Sequence, residues 1–197
     1  MALGDPYATL AELKLRLTIT DTVDDTRLTE AMSTASREIE GYCGRQFNKQ
    51  IGATARVFYP QHCRLAVVDD FWTTASLVIA VDTDDDGTYE STWVSGTDYQ
   101  LEPLNGVVDS EPGWPQWRLR AVGGTLFPTR SRRPPIQVSA QWGWNTVPAP
   151  VHEAALVAGE EAFKLKGAPF GPAVRIAGND QITKMIGRYR LEPILAA

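Results

Sequence analysis

The 197-residue chain contains few of the features from which disulfide scaffolds and membrane proteins are built. Its two cysteines, Cys43 and Cys63, are too few for a disulfide framework, so a reducing cytosol is the simplest expected compartment. No stretch approaches the roughly 18 consecutive apolar residues of a membrane span. The first ten residues also lack the basic region and apolar run of a secretory signal. These absences predict a protein without disulfides and without a membrane partner.

Residues that could carry catalysis or hold zinc are equally scarce. The candidates Cys43, His62, Cys63 and His152 do not show the short paired spacings that zinc sites require. The stretch "HEAAL" begins like a metalloprotease helix, but Leu156 stands where the second histidine is needed. Neither a nucleophile elbow nor a phosphate-binding loop is present. We therefore expect no catalytic residues and no cofactor.

The stretch "DTDDDG" (82–87) has the Asp-x-Asp-x-Asp-Gly spacing of a calcium loop. Position twelve of such a loop is a bidentate glutamate, and here it is Trp93. Strand-like sequences flank the loop, whereas a calcium loop of this type lies between helices. The pattern favours a polar turn between two strands. Asp82, Asp84 and Asp86 remain weak candidates for metal ligands.

Three segments have helical patterns. Thr9 and Glu12 have the spacing of a capping box, which opens a short first helix. The second helix is capped by Asp21 or Thr22 and ends at Gly44. Its apolar stripe recurs every three to four residues: Leu28, Met32, Ala35, Ile39 and Cys43. A third helix runs through "VPAPVHEAALVAGEEAFKLKG", with Pro150 in its first turn, Gly167 near its end, and one face formed by Val151, Ala155, Ala158, Ala162 and Leu165.

Between the second and third helices the apolar period changes to two. Six or seven short strands follow one another from about 54 to 141, separated by Gly, Pro, Asp and Ser. The predicted fold class is α+β: a small helical bundle with an inserted antiparallel β-sandwich or barrel-like region and an extended C-terminal arm. The expected boundaries are 1–50 and 148–168 for the bundle, 51–147 for the β domain and 169–197 for the arm. A short helix is expected at 179–187.

Charge is segregated along the chain. Residues 65–117 contain eleven acidic and no basic residues, whereas 164–190 contain six basic residues and one acid, Asp180. Such segregation favours surfaces of opposite sign that meet on another copy or a partner. Random accumulation of charge in solvated loops is the alternative.

Several aromatic and basic side chains are candidates for an interface, because Tyr, Trp and Arg often anchor protein contacts. Trp142 and Trp144 could stack on bases or sugars, or could close the β region against the third helix. A protein partner is favoured over nucleic acid for the C-terminal triplet, because the chain is acidic overall. The full candidate set is Tyr42, Arg45, Trp142, Trp144, Lys164, Lys166, Arg188, Tyr189 and Arg190.

The order of these elements resembles the head–tail connector (adaptor) proteins of long-tailed double-stranded DNA phages. The N-terminal stretch from "YATLAELKLRL" to "IEGYCGRQF" is similar to that family's short first helix, acidic cap and long helix ending in a Tyr-Cys-Gly-Arg-Phe-like signature. The matching positions are Tyr42, Cys43, Gly44, Arg45 and Phe47. The "VPAPVHEAALVAGEEAFKLKGAPFG" segment resembles the family's third helix, and the resemblance covers most of residues 7–171.

The resemblance implies a structural virion protein and no catalysis. It implies a dodecameric ring beneath the portal vertex, located in the virion neck and assembled in the cytoplasm of the bacterial host. The implied partners are other copies of the chain, the portal protein, and the next neck protein (stopper) or tail terminator. Duplex DNA would pass through the ring without sequence-specific binding. Two alternatives remain: another neck or tail-completion protein of similar plan, and a calcium- or sugar-binding β module.

Overall fold

The computed structural model describes residues 4–165 and 176–191. These residues form four α-helices: α1 (Leu10–Leu17), α2 (Asp25–Cys43), α3 (Ala149–Lys164) and α4 (Asp180–Ile186). They also form nine strands: β1 (Thr54–Phe58), β2 (Pro60–His62), β3 (Leu65–Val81), β4 (Ser91–Trp93), β5 (Tyr99–Glu102), β6 (Val107–Val108), β7 (Glu111–Pro112), β8 (Gln116–Ala121) and β9 (Ile136–Trp142). The predicted α+β class is confirmed. Within the described ranges, no helix has both the length and the hydropathy needed to cross a membrane.

The described residues divide into two compact units. Residues 4–48, 146–165 and 176–191 form the helical unit, and residues 49–145 form the β unit. The β unit is therefore an insertion between α2 and α3 in the chain.

The first helix begins with the predicted capping box. The Thr9 hydroxyl accepts a hydrogen bond from the Glu12 amide (3.3 Å), and the Glu12 carboxylate accepts one from the Thr9 amide (2.7 Å). Two backbone N–H groups that lack helical partners are thereby satisfied.

The second helix buries its predicted stripe, Leu28, Met32, Ala35, Ile39 and Cys43, and ends at Gly44 with φ 64°. Glycine suits this left-handed position because it has no Cβ. The predicted N-cap was wrong: the cap position is Asp24, and the Asp21 carboxylate instead accepts the Val23 amide (3.0 Å) in the preceding turn.

The third helix lies in the centre of the helical unit and contacts the other three helices. Every residue from Ala154 to Gly159 is buried, so burial extends around the helix beyond one predicted face. Gly159 permits a close approach to α2, because a Cβ there would lie 2.5 Å from the Met32 sulfur. The prediction fails at Leu165, which is 40% exposed after the helix has ended at Lys164.

The structure differs from the expected extended arm over residues 176–191. The predicted short helix is confirmed as α4, whose cap Asn179 accepts the amides of Gln181 and Ile182. Ile182, Ile186 and Tyr189 are buried in the helical unit, and the Leu191 amide donates to the Cys43 carbonyl (2.8 Å). This segment packs because its apolar side chains lose contact with water. The rest of the predicted arm lies outside the described residues.

The β unit is built on a seven-stranded antiparallel sheet. Its path is β1-β9-β3-β8-β5, and β2 and β4 pair with opposite ends of β3. The path ends in two different edge strands, so the sheet is open and does not close into a barrel. Two stretches with the strand pattern, "RLAVV" and "SLVIAV", were expected as separate strands, because the polar and aromatic run "DDFWTTA" lies between them. In the structure both belong to β3, which is continuous over 17 residues. Register shifts between Phe71 and Val78 bend this strand.

One face of the sheet forms the core of the β unit. Strand β9 alternates strictly, with Ile136, Val138, Ala140 and Trp142 buried. Trp93 from β4 stacks on Phe127, with ring centroids 4.6 Å apart. Alternation of this kind is typical of an antiparallel sheet with one covered face.

A valine at Gly159 is expected to lower the free energy of unfolding by about 2–3 kcal/mol, because its side chain overpacks the contact with Met32. Gly41 in α2 is the matched control, since a Cβ there meets nothing within 4 Å. Gly41→Val should change the free energy by less than about 0.5 kcal/mol. Urea denaturation measures both, and equal effects of the two substitutions would contradict the close approach of α2 and α3.

Candidate interface surfaces

The acidic loop between β3 and β4 is organised by its first aspartate. The side-chain oxygens of Asp82, Asp84 and Asp86 lie within 4.8 Å of one another. Asp82 is buried, and its two carboxylate oxygens accept the backbone N–H groups of Asp85 (2.8 Å) and Gly87 (2.9 Å). The Asp82 carboxylate therefore stabilises the turn itself, which agrees with a polar connection between strands.

A second aspartate attaches this loop to the segment before β9. The Asp85 carboxylate accepts the backbone N–H groups of Arg132 (3.1 Å) and Arg133 (3.3 Å), and these bonds lower the pKa of Asp85. The Arg133 guanidinium donates to the Asp86 carbonyl and occupies the space beside Gly87, where a Cβ would lie 2.5 Å from its Nη1. Part of the acidic charge therefore contacts basic residues of the same unit.

Replacing Asp82 with alanine is expected to lower the free energy of unfolding by about 1–3 kcal/mol, because two loop N–H groups lose their acceptor. Asp84→Ala is the matched control: Asp84 is exposed and accepts one long bond from Asp86 (3.3 Å), so the change should stay within about 0.5 kcal/mol. Thermal or urea unfolding measures both. A calcium-dependent rise in melting temperature that Asp84→Ala abolishes would show instead that the loop is a cation site.

Four of the nine interface candidates are buried: Arg45, Trp142, Trp144 and Tyr189. The Trp142 indole donates to the Thr54 carbonyl (2.9 Å), and the Trp144 indole donates to the Asp70 carboxylate (2.7 Å). Both are therefore internal packing residues of the β unit with satisfied N–H groups. This burial counts against stacking of these tryptophans on bases or sugars.

Tyr189 belongs to a chain of aromatic contacts in the helical unit. Phe47 meets Tyr189 edge to face (5.8 Å) and Tyr7 in the same way (5.7 Å). The Tyr7 hydroxyl donates to Glu40 and accepts the Phe47 amide (3.0 Å), and burial raises the pKa of Tyr7. Phe47 thus joins the N-terminal segment to the C-terminal segment.

The exposed candidates lie at two places in the helical unit. Arg190 stacks over the Tyr42 ring with 5.3 Å between guanidinium and centroid, and Arg188 is exposed on the same segment. Lys164 lies on α3 and pairs with Glu160, one helical turn away. Lys166 lies outside the described residues.

Some of the acidic and basic side chains that were expected to meet on another copy or a partner form ion pairs inside each unit. In the β unit Arg120 pairs with Glu102, and Arg56 pairs with Asp69 (2.6 Å). In the helical unit Arg16 binds both Glu153 and Glu160 (2.7 Å each). Hydrogen bonds from Lys164 and Arg16 lower the pKa of Glu160. Segregation along the chain therefore does not carry over directly into segregated surfaces.

The two thiols differ in environment. Cys43 is buried on the α2 stripe and Cys63 is exposed, and both are free. Burial raises the pKa of the Cys43 thiol to about 12. His62 is exposed, and His152 contacts Glu12 (3.2 Å) at the surface. Within the described residues, only the three loop aspartates come close enough together to suggest a metal site.

A thiol reagent applied at pH 8 should therefore modify one cysteine per native chain and two per unfolded chain. At this pH the Cys43 thiol stays protonated, because its pKa is raised well above 8, whereas Cys63 is accessible. The count of modified thiols by mass spectrometry checks this, and Cys63→Ser should leave the native chain unmodified. Rapid modification of native Cys63→Ser would contradict the buried position of Cys43.

One exposed feature was missed from the sequence. Strands β6 and β7 form a separate two-stranded hairpin whose tip is Asp109 and Ser110. The usual hairpin signal is Asn-Gly or Asp-Gly at the tip, and Asp-Ser does not give it. The signal available was the short apolar pair Val107-Val108 before an acidic turn.

Residues 7–92 match the family of phage gp6-like head-tail connector proteins. This confirms the resemblance seen in the sequence. The chain also resembles subunits in three solved structures, each over 95% of this chain and 91% of the other. The neck of an empty gene transfer agent (GTA) particle with C6 symmetry gives a TM-score of 0.58 at 15% identity. The neck of a native GTA particle with C12 symmetry gives 0.56 at 16% identity.

The third structure is the virion of a native gene transfer agent particle, with a TM-score of 0.57 at 15% identity. At these identities the likeness shows a shared fold along nearly the whole of both chains. A comparison with curated protein sequences gave no match.

Proposed function

We propose that this chain is a structural protein of a phage neck. The observation that carries the proposal is the shared fold with chains from neck structures over 95% of its length, together with the connector-family match at residues 7–92. The proposed location is the virion neck, at the portal vertex. Assembly takes place in the cytoplasm of the bacterial host.

The proposed assembly is a ring of twelve copies that binds beneath the portal and lengthens the DNA channel. Twelve copies are proposed because one matched structure comes from a neck with C12 symmetry. A ring joins unlike faces of neighbouring subunits, so each copy needs two complementary surfaces. The far side of the ring binds the stopper or the tail terminator.

The proposed role is mechanical and not catalytic. Among the described residues both histidines lie at the surface, and the buried cysteine carries a protonated thiol at neutral pH. The proposal also has acidic side chains face the channel, where they repel phosphate so that DNA slides through; the chain has an excess of them, with a formal net charge of −5.

Electron microscopy of the purified chain mixed with its portal tests the proposal. We expect a ring at the narrow end of the portal, with no retention of duplex DNA by the isolated ring at physiological salt. Binding only to a portal that already carries another neck protein would favour a different neck component. A chain that binds neither the bare portal nor a portal with another neck protein would contradict a neck function. Tight retention of duplex DNA would contradict a channel wall that repels phosphate.

We further propose that the C-terminal segment, with Arg188, Tyr189 and Arg190, binds the portal or an adjacent subunit, and point substitutions must test this. Removal of residues beyond 172 would also remove Ile182, Ile186 and Tyr189, which are buried in the helical unit. Loss of portal binding in such a truncation would therefore report an unfolded helical unit. Arg190→Ala is better suited, because this side chain is exposed.

A further inference from the structure

The outer face of four strands in the β unit carries no charged side chain. Strands β4, β3, β9 and β1 lie side by side, and residues opposite each other in an antiparallel sheet point to the same side. Trp93, Ile79 and Val138 point to the buried side. The other side, here called the neutral face, consists of two rows: Val78, Ser139 and Ala55, and then Thr92, Ala80, Gln137 and Val57.

The neutral face is apolar as well as uncharged. Val57 and Val78 are 48% and 47% exposed, and Ala55 is exposed beside them. Four strands about 4.8 Å apart and two rows of side chains about 7 Å apart give the face an area of roughly 300 Å². The solvated face of an antiparallel sheet is usually polar. Adjacent apolar side chains at outward positions therefore indicate a contact surface.

Two exposed cations belong to a segment at one end of the neutral face. The Tyr59 hydroxyl, directly after β1, donates to the Arg132 carbonyl (3.0 Å) and holds the segment before β9 against the end of β1. Arg130 and Arg132 are exposed in this segment. Among the residues that the structure describes, no carboxylate forms an ion pair with either guanidinium. An apolar centre with charges at its margin is typical of a protein interface.

The turn between α1 and α2 carries two strongly exposed aliphatic side chains. Leu15, in the last turn of α1, is 82% exposed, and Val23, just before α2, is 86% exposed. The ion pair between Lys14 and Asp25 (2.6 Å) joins the end of α1 to the start of α2. Both aliphatic side chains therefore lie at the same end of the helical unit.

The same turn has a negative charge that its own unit does not neutralise. Asp24 and Asp25 each pair with a cation of the helical unit. Asp21 accepts the Val23 backbone N–H (3.0 Å), and within the described ranges no cation pairs with it. The turn thus combines aliphatic side chains with a negative charge, whereas the neutral face combines them with positive charges.

We propose that the α1–α2 turn of one copy docks on the neutral face of a neighbouring copy. Leu15 and Val23 pack on the two valines of the face, and Asp21 lies towards the two arginines. The inference rests on the proposed function, because a ring requires two unlike surfaces that fit each other on every subunit. A second copy is the chosen occupant because the chain carries both surfaces, which match in apolar character and are opposite in charge.

The size of the neutral face fits a contact of this kind. Stable complexes bury about 800 Å² per partner, more than twice the area of the face. Such a contact is weak between two isolated copies and becomes effective when a template holds many copies side by side. We therefore expect the isolated chain to be monomeric and the contact to form in rings on the portal.

Cysteine cross-linking tests the contact. Val23→Cys and Val57→Cys are introduced together into the Cys63→Ser chain, in which the remaining cysteine, Cys43, is buried. Rings assembled on the portal are treated with a short bis-maleimide and separated under denaturing conditions. We expect a ladder of linked chains up to the full ring, because each copy contributes one thiol to each of two contacts. A mixture of the two single-cysteine chains should stop at pairs.

Thr34→Cys in place of Val23→Cys is the matched control for cross-linking. Thr34 is exposed on α2, outside the turn, and should give no ladder. Rings that form on the portal but give no ladder with the Val23 and Val57 cysteines overturn the inference. An equal ladder from the control chain also overturns it.

Removal of the aliphatic side chains gives a second measurement. Leu15→Ser with Val23→Ser should reduce the fraction of portals that carry a ring by about tenfold or more, because two apolar side chains no longer leave water. Ile51→Ser is the matched control: Ile51 is 85% exposed outside the neutral face, so ring formation should be unchanged. Electron microscopy at matched protein concentrations measures the fraction.

Circular dichroism and thermal unfolding establish that each variant is folded. Full ring formation by the folded Leu15→Ser, Val23→Ser chain overturns the inference. Failure of the wild-type chain to form any ring on the portal would overturn the proposed function instead.

Discussion

The structure depends on the close packing of α3 against α2. These helices are separated in the chain by the whole β unit, so their contact closes a loop of about a hundred residues, an entropic cost that grows slowly with loop length. Gly159 allows the Met32 side chain to approach the α3 backbone, and the buried run from Ala154 onward surrounds α3 with apolar contacts. Without this contact neither α1 nor α4 would have a complete surface to pack on.

Several buried polar groups inside the two units have specific internal partners. Tyr7 binds Glu40 and the Phe47 amide, Asp82 binds two loop amides, and Trp144 binds Asp70. Buried polar groups are costly when left unpaired, so these bonds fix single conformations as well as stabilising them. These polar and ionisable side chains therefore stabilise the fold, which is consistent with a structural protein.

The sequence predicted best where a local pattern determines structure. The stripe from Leu28 to Cys43, the Thr9 capping box and the Gly44 terminator all depend on neighbours within one or two turns, and all were confirmed. It failed where partners come from far along the chain. Arg45 and Trp142 are candidate interface anchors by residue type, but only the fold shows that they are buried. Likewise, only the fold shows that β3 is one continuous strand. The hairpin tip was missed because Asp-Ser lacks the glycine that usually marks a two-residue hairpin turn.

The two ends of the β unit lie side by side. Lys49 forms a bridge with Gly143, and the Gln50 amide donates to the Trp142 carbonyl (2.8 Å). The chain thus enters and leaves this unit through one narrow stem. A stem of this kind makes the insertion modular. Its loops and strands can lengthen, shorten or be exchanged during evolution, while the distance between the two chain ends that connect to α2 and α3 stays constant. Lineages that share the helical framework can therefore diversify what the inserted unit presents.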